Sequence, residues 1–501
     1  MSAMQAENNK RKTLTENGAV AYETSGKALT DFHFKLSHFR SAEDSDIMKQ
    51  FSSVFFEDPL TAVKDIFYIG DVRQGIGERK VFRSCMMWLA NNKPEICRAV
   101  IPYVGFYNRF DSLLCLLDFR GVRKDVVEYI RGQLDLDIKN KAAGKPISLL
   151  AKWLPSENAS SPGSLRLART LINELGWSPR KYRKTLSDLR AYIDVVERKM
   201  SANRWKAIDY EGVPSKANLI YNSAFLRHDE ERRRSYLEKV KKGEAKINAE
   251  VLQPHEIVSK YVSHGYWNSI TEDDVLEQLW KNLPDKTVEN ILVVRDGSGS
   301  MTTRISGNTT SCLDVASAIT IYMAERNSGS WKNKFVTFSS RPRIIDISNC
   351  ETLRDKLVRV YSEDECSNTD IYKTMRLILE TAVQNRISQE EMPGMIVICS
   401  DMGFDPRYFN FGKTLFEEIT DEYEAAGYKM PKICFWNINA RNINGVPLQK
   451  NDLGLILCSG FSVNIMNMFL SNRLDPYEIL LEQINSPRYD EIEEAVKDMI
   501  G

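Results

Sequence analysis

From Asp285 onward, short apolar runs alternate with amphipathic stretches, and few folds accommodate that grammar. "NILVVRD" precedes "CLDVASAITIYMAERN". "KFVTFSS" precedes "RIIDIS", "TLRDKLVRV" and "DIYKTMRLILETAV". "MIVICSD" precedes "KTLFEEITDEYEAAG", and "KICFWNIN" precedes "LGLILCSG" and "VNIMNMFL". Repeated strand–helix alternation predicts an α/β domain around a mostly parallel sheet. Such sheets bind ligands at the carboxyl ends of their strands. Three of those ends are polar here: Asp296, Ser339 and Asp401.

Before about Pro284 the periodicity is helical instead. In "DPLTAVKDIFYIGDVRQGIGERKVFRSCMMWLANNKP", Asp58 and Pro59 make a helix start. Leu60, Val63, Ile66 and Phe67 share one stripe, "GDVRQGIGE" interrupts it, and Val81, Cys85, Trp88 and Leu89 resume it. "VVEYIRGQLDLDIKN", "LRLARTLINELG" and "TLSDLRAYIDVVERKM" read as further helices of a bundle or solenoid. The expected organisation is an N-terminus without order (1–12), an α-helical repeat domain (13–285), a doubly wound α/β domain (286–472) and C-terminal helices (473–501).

With 501 residues the chain exceeds one ordinary core. Its 43% hydrophobic and 27% charged residues are those of a globular protein, and no apolar run reaches the about 18 residues of a membrane span. "MSAMQAENNKRKTLTENG" lacks the apolar core of a secretory signal. Nine cysteines, none in a C-x-x-C pair, read as reduced thiols, and a cytoplasmic location is expected.

The chemistry concentrates in "ILVVRDGSGSM". Asp296, Ser298 and Ser300 alternate in a loop leaving a strand, so their side chains fall on one side. One carboxylate and two hydroxyls make a hard, oxygen-only donor set suited to Mg²⁺ or Mn²⁺. Asp401, ending another strand, and Thr369, in a polar loop before a helix, are expected to add two oxygens. The plainer alternative is that these residues cap loops and turns. Enzymatic readings are weaker. A serine hydrolase needs a base, and all five histidines precede the α/β domain. "RDGSGSM" fails G-x-S-x-G, and no G-K-[ST] follows for a phosphate loop. Phosphatases of the haloacid dehalogenase type carry a second aspartate where Ser298 stands.

These residues carry a resemblance. D-x-S-x-S after the first strand, the threonine of a "TD" loop and an aspartate after the fourth strand resemble the metal-ion-dependent adhesion site of von Willebrand factor A domains. The resemblance implies that Asp296, Ser298, Ser300, Thr369 and Asp401 hold the metal directly or through water. It also implies an open position for a partner's carboxylate or another anionic oxygen. In the helical half, "LTENGAVAYETSGKALTDFHFKLSHFR", "GDVRQGIGERKVF", "FYNRFDSLL", "AKWLPSENASS", "YRKTLSDLR", "RHDEERRRSYL" and "KINAEVLQPHEIVSKY" extend it. Together they resemble an uncharacterised family joining a TROVE-like (HEAT-like) helical-repeat domain to a von Willebrand A-like domain. That family is distantly similar to Ro ribonucleoproteins, in which an A domain closes a ring of helices that binds RNA.

The resemblance implies a non-catalytic RNA- or ribonucleoprotein-binding protein with a magnesium site. The alternative is an assembly factor recognising a protein through that site, and a phosphotransfer enzyme comes third. Charge supplies an independent argument for RNA. Between Trp177 and Lys206 nine Lys/Arg face three acids, a local charge of +6 in a chain of net charge zero. Arg180, Lys181, Arg183, Lys184, Arg190, Lys199, Arg204 and Lys206 are the candidate phosphate contacts. Trp177, Tyr182, Tyr192 and Trp205 are the candidate stacking surfaces. Solvated helix faces over a Leu186, Leu189, Ile193, Val196, Met200 core stripe are the equal alternative. The apolar stretch from Val251 to Leu283 is expected to pack against both halves, with Trp267 and Trp280 at the junction.

Overall fold

The computed structural model describes residues 12–14, 20–22, 24–262, 270–286, 290–305, 310–364, 369–402, 415–438, 455–470 and 475–500. An N-terminal helical region is followed by a mixed α/β region. Its chain forms two compact units. One takes in residues 1–42, 214–219 and 237–483, and the other 43–213, 220–236 and 484–501. The change of sequence grammar at 285 therefore falls inside the first unit.

That unit is built on a six-stranded sheet. A short antiparallel pair, β1 (Lys12–Leu14) and β2 (Val20–Tyr22), precedes it in the chain. The sheet strands are β3 (Ile291–Asp296), β4 (Lys334–Phe338), β5 (Ile344–Asp346), β6 (Met395–Ser400), β7 (Lys432–Asn437) and β8 (Leu455–Ser459). Their spatial order is β5-β4-β3-β6-β7-β8. Every pairing is parallel except that of the edge strand β5 with β4. All residues of β3 and β6 are buried, as covered parallel strands must be.

Alternation along the strands assigns the two faces. Leu292, Val294, Ile396, Ile398, Ile433 and Phe435 pack in one cluster with Met375, Ile378, Ile419 and Tyr423 from helices Ile371–Asn385 and Leu415–Ala425. The opposite face carries Arg295, whose Nε donates to Ser317 Oγ at 3.0 Å on helix Cys312–Arg326. Ser311 and Asp314 start that helix with reciprocal side-chain-to-backbone bonds.

The segment before β3 is integral to this unit. Leu252, Ile257, Val258, Tyr261, Val275, Leu279, Trp280 and Leu283 are buried. Trp280 Nε1 donates to Glu325 Oε2 at 2.8 Å. Glu277 accepts the backbone N–H groups of Leu353 and Arg354 at 3.0 and 3.1 Å, capping helix Leu353–Ser362. Trp267 lies outside the described residues, as do residues 1–11.

The second unit is helical. Asp58 caps helix Pro59–Gly70 through Thr61 N, with Pro59 in the first turn, as the sequence predicts. The turn 71–78 folds back on that helix. Ile76 N reaches Tyr68 O at 3.0 Å and Glu78 N reaches Ile69 O at 2.8 Å. A Cβ on Gly75 would lie 2.0 Å from Tyr68 O, so the close approach requires glycine. Helix Arg79–Asn92 then resumes the buried stripe. "TLSDLRAYIDVVERKM" is not one helix. The first ends at Ile193, Asp194 takes a left-handed φ of 57°, and Val196–Ser201 restarts. Lys199 Nζ holds the Asp194 carboxylate at 2.6 Å across the break.

Residues 484–501 belong to this unit. Lys64, buried, pairs with Glu493 at 2.6 Å, and Tyr107 OH donates to Arg488 O at 2.6 Å. The fully buried Asp71 carboxylate takes Arg488 and Tyr489 together. The C-terminal residues thus pin the turn after helix Pro59–Gly70.

Candidate metal centre and basic surface

β3 and β6 are neighbours, with Arg295 opposite Cys399, so Asp296 and Ser400 end adjacent strands. β6 is the fourth strand of this sheet in chain order, and Asp401 follows it directly. Asp296 is 1% exposed. Its Oδ1 accepts Ser298 N–H at 2.9 Å, and its Oδ2 accepts the Ser400 hydroxyl at 2.6 Å. Ser298 Oγ and Ser300 Oγ lie 3.0 Å apart. Asp401 and Thr369 are both buried.

Helix Ile371–Asn385 leads into β6 and therefore begins at the carboxyl-end side of the sheet. Lys373 in its first turn donates to Ser340 O at 3.2 Å, just past the end of β4. Asp370 caps the helix by accepting Lys373 N–H. Thr369, one residue earlier, thereby stands on the same edge as Asp296 and Asp401.

Electrostatics at this edge oppose a bare carboxylate. Burial, and then the Asp401 charge, push the Asp296 carboxyl up to about 6, against the pull of the Ser400 and Ser298 bonds. Two repelling carboxylates among hydroxyls form a hard, water-compatible donor set, which fits Mg²⁺ or Mn²⁺. Among the described residues no three His, Cys, Asp or Glu side chains gather as an all-protein metal cage. A cation at this edge would rest on two carboxylates, hydroxyls and water.

Beneath the loop lies an ion pair that the sequence did not announce. Arg295, 1% exposed, pairs with Asp364 at 2.6 Å and passes over the Tyr361 ring. Tyr361 OH donates to Asp314 at 2.6 Å. A Cβ on Gly297 would stand 3.1 Å from Asp364 Oδ1, so the D-G-S-G-S loop rests directly on this pair. Ser400 was also missed. Its signal is a polar residue ending an otherwise apolar strand, in register beside Asp296.

The basic stretch of the helical unit divides into an exposed set and an inward-turned one. Arg180, Lys181, Arg183, Lys184, Arg204 and Lys206 are exposed. Arg183 pairs with Glu157 at 3.1 Å, and Lys199 with Asp194. Arg190 turns inward. Its guanidinium donates to Ala151 O (2.8 Å), Leu154 O (2.7 Å) and Ser156 Oγ (2.8 Å), clamping the proline-containing turn. Tyr182 is wholly buried and donates to Pro155 O, so it is core rather than a stacking surface. Trp177 lies under Lys181, and Tyr192 is partly exposed. Trp205 stacks on exposed His228, with ring centroids 4.3 Å apart.

A chain with an α/β unit that carries an oxygen-lined strand edge, and a helical unit, is the class these features define. Residues 290–499 match a domain of unknown function (DUF7788), whose start coincides with β3. Residues 15–103 and 177–290 match another (DUF2828). The chain is also 28% identical to "Uncharacterized protein L728" of Acanthamoeba polyphaga mimivirus, over 94% of this chain and 86% of that protein. The similarity is to uncharacterised proteins, and none of these matches carries a function.

Proposed function

We propose that this chain is a non-catalytic binding protein of von Willebrand A-like type. Its α/β unit would hold Mg²⁺ or Mn²⁺ through Asp296, Ser298, Ser300, Thr369 and Asp401 and engage an anionic oxygen of a partner there. The observation carrying this reading is the pairing of two buried carboxylates at adjacent strand ends, with Ser298, Ser300 and Ser400 around Asp296. When bound, the cation would supply a Lewis-acidic coordination position to the partner's oxygen. The protein's own residues do the positioning. Ser400 fixes one carboxylate oxygen of Asp296, Ser298 N–H fixes the other, and Arg295 with Asp364 supports the loop from below. No histidine is present among residues 286–501 to act as a base, which supports binding over hydrolysis.

RNA is the second reading, in keeping with the TROVE-like resemblance of the helical half. It is favoured by the stacking of half-buried Trp205, flanked in sequence by exposed Arg204 and Lys206, on exposed His228. Both readings are tested by recovering the protein from its native source. The first expects a partner released by EDTA and not retained by Asp296→Ala, with no effect of nuclease. Release by nuclease or high salt, with EDTA inert, would replace it with the second.

A further inference from the structure

We infer that Ser400 sets the cation preference of the strand edge, favouring Mg²⁺ over Ca²⁺, an inference that rests on the metal reading proposed above. Ser400 is a fully buried, polar end to the otherwise apolar strand β6. Its hydroxyl is used twice. It donates to Asp296 Oδ2 at 2.6 Å and accepts Met402 N–H at 3.1 Å. Its backbone is held as well, because Ser400 O accepts Ile438 N–H at 2.9 Å. Met402 takes a left-handed φ of 65°, which a residue with a side chain adopts only where its surroundings enforce it. Its side chain is buried in the core cluster that contains Val294, Ile398 and Ile419. The turn carrying Asp401 is thus pinned by Ser400 before it and Met402 after it, and one hydroxyl ties that turn to the Asp296 carboxylate.

Coordination chemistry turns this arrangement into a preference. Ca²⁺ takes about six to eight oxygens in flexible geometry, often with both oxygens of one carboxylate, whereas Mg²⁺ demands a near-ideal octahedron and keeps several waters. Both oxygens of Asp296 already accept a hydrogen bond, Oδ1 from Ser298 N–H at 2.9 Å and Oδ2 from Ser400. Turning the carboxylate to present both oxygens to one ion would break at least one of these bonds at a buried position, where solvent does not make good the loss. A single oxygen offered beside hydroxyls and water carries no such cost. Ser400 is therefore a positioning residue, acting on the ion through Asp296 and the Asp401 turn. Without its hydroxyl, Oδ2 is released and the turn is loosened. That lifts the constraint on the larger ion and removes the fixed geometry that serves the smaller one.

The test is calorimetric titration of Mg²⁺ and of Ca²⁺, each alone, into the full chain, Ser400→Ala and Ser400→Thr, with metal-free melting temperatures measured in parallel. The wild-type chain should bind Mg²⁺ more tightly than Ca²⁺. Ser400→Ala should narrow that ratio on the order of tenfold, as expected for one charge-assisted hydrogen bond lost, with Mg²⁺ weakened and Ca²⁺ unchanged or tighter. Ser400→Thr, which keeps the hydroxyl, should keep the ratio. A merely structural hydroxyl would lower the melting temperature and weaken both ions alike, and that result in Ser400→Ala overturns the inference. So does a wild-type chain that binds the two ions equally, a result that needs no variant to fold. If the wild-type chain binds neither ion, the metal reading itself falls and the inference with it, whereas binding without preference leaves the metal reading standing.

Discussion

Asp296 sits where its own charge is disfavoured, and the sign of the resulting linkage can be worked out. Its carboxyl is raised from the usual value near 4 to about 6 when no cation is present. Between those values the folded protein holds a proton that the unfolded chain has released. Stability of the metal-free protein should therefore fall as pH rises from about 4 through about 6, and the cost is fully present above it. At roughly 1.4 kcal/mol per unit, it is on the order of 2–3 kcal/mol. Asp296→Asn should then raise the melting temperature of EDTA-treated protein at pH 7 and have little effect at pH 4. A lower melting temperature at pH 7 would mean that the carboxylate is satisfied without a metal. Asp296 itself was legible, because an acid ending an apolar run is conspicuous. Ser400 was not, because its role depends on strand register.

Elements are read from sequence by period and punctuation, and both worked where contacts are local. "NILVVRD", "MIVICSD" and "KICFWNIN" are strands, and Asp58–Pro59 starts a helix. The reading stopped short where one side chain reaches far along the chain. Arg295 interrupts an apolar strand, and nothing in its neighbourhood in the sequence points to its partner, Asp364, sixty-nine positions on. Removing one partner of so buried a pair costs roughly 3–5 kcal/mol. Because Asp364 is itself partly exposed, Asp364→Asn should fall toward the lower end, measured by urea denaturation. It should also weaken metal binding by loosening the Gly297 loop. A stability loss within error of zero would show that the pair does not hold the loop. Arg190 makes the same point in the helical unit. Counted with the phosphate-binding candidates, it proves to donate to two carbonyls and a hydroxyl of a turn. Arg190→Ala should cost about 1–3 kcal/mol, whereas Arg180→Ala should be nearly neutral. Equal, negligible effects would return Arg190 to the solvated surface.

For the molecule as a whole, hydrophobic periodicity locates the change from helical to α/β grammar but not the boundaries of the packed units. Glu277 caps helix Leu353–Ser362, Trp280 bonds Glu325, and Asn437 Nδ2 donates to Phe34 O at 2.8 Å. Those contacts join residues 24–42 and 237–285 to the sheet. A fragment of residues 286–483 should consequently be insoluble or lack a cooperative melt, even though it contains every strand of the sheet. Helices Pro254–Val262 and Asp274–Lys281 should resist hydrogen exchange as strongly as the sheet. A soluble, cooperatively folding 286–483 fragment would contradict that assignment.

The central claim is that the strand edge at Asp296 holds a divalent cation, and calorimetric titration of Mg²⁺ and Mn²⁺ into the full chain at pH 7.5 tests it most directly. The claim predicts saturable binding at millimolar concentration or tighter, lost in Asp296→Ala while the protein still melts cooperatively, and weakened as pH falls below about 6. Absence of saturable binding of either ion by the wild-type chain, or undiminished binding by Asp296→Ala, would contradict it.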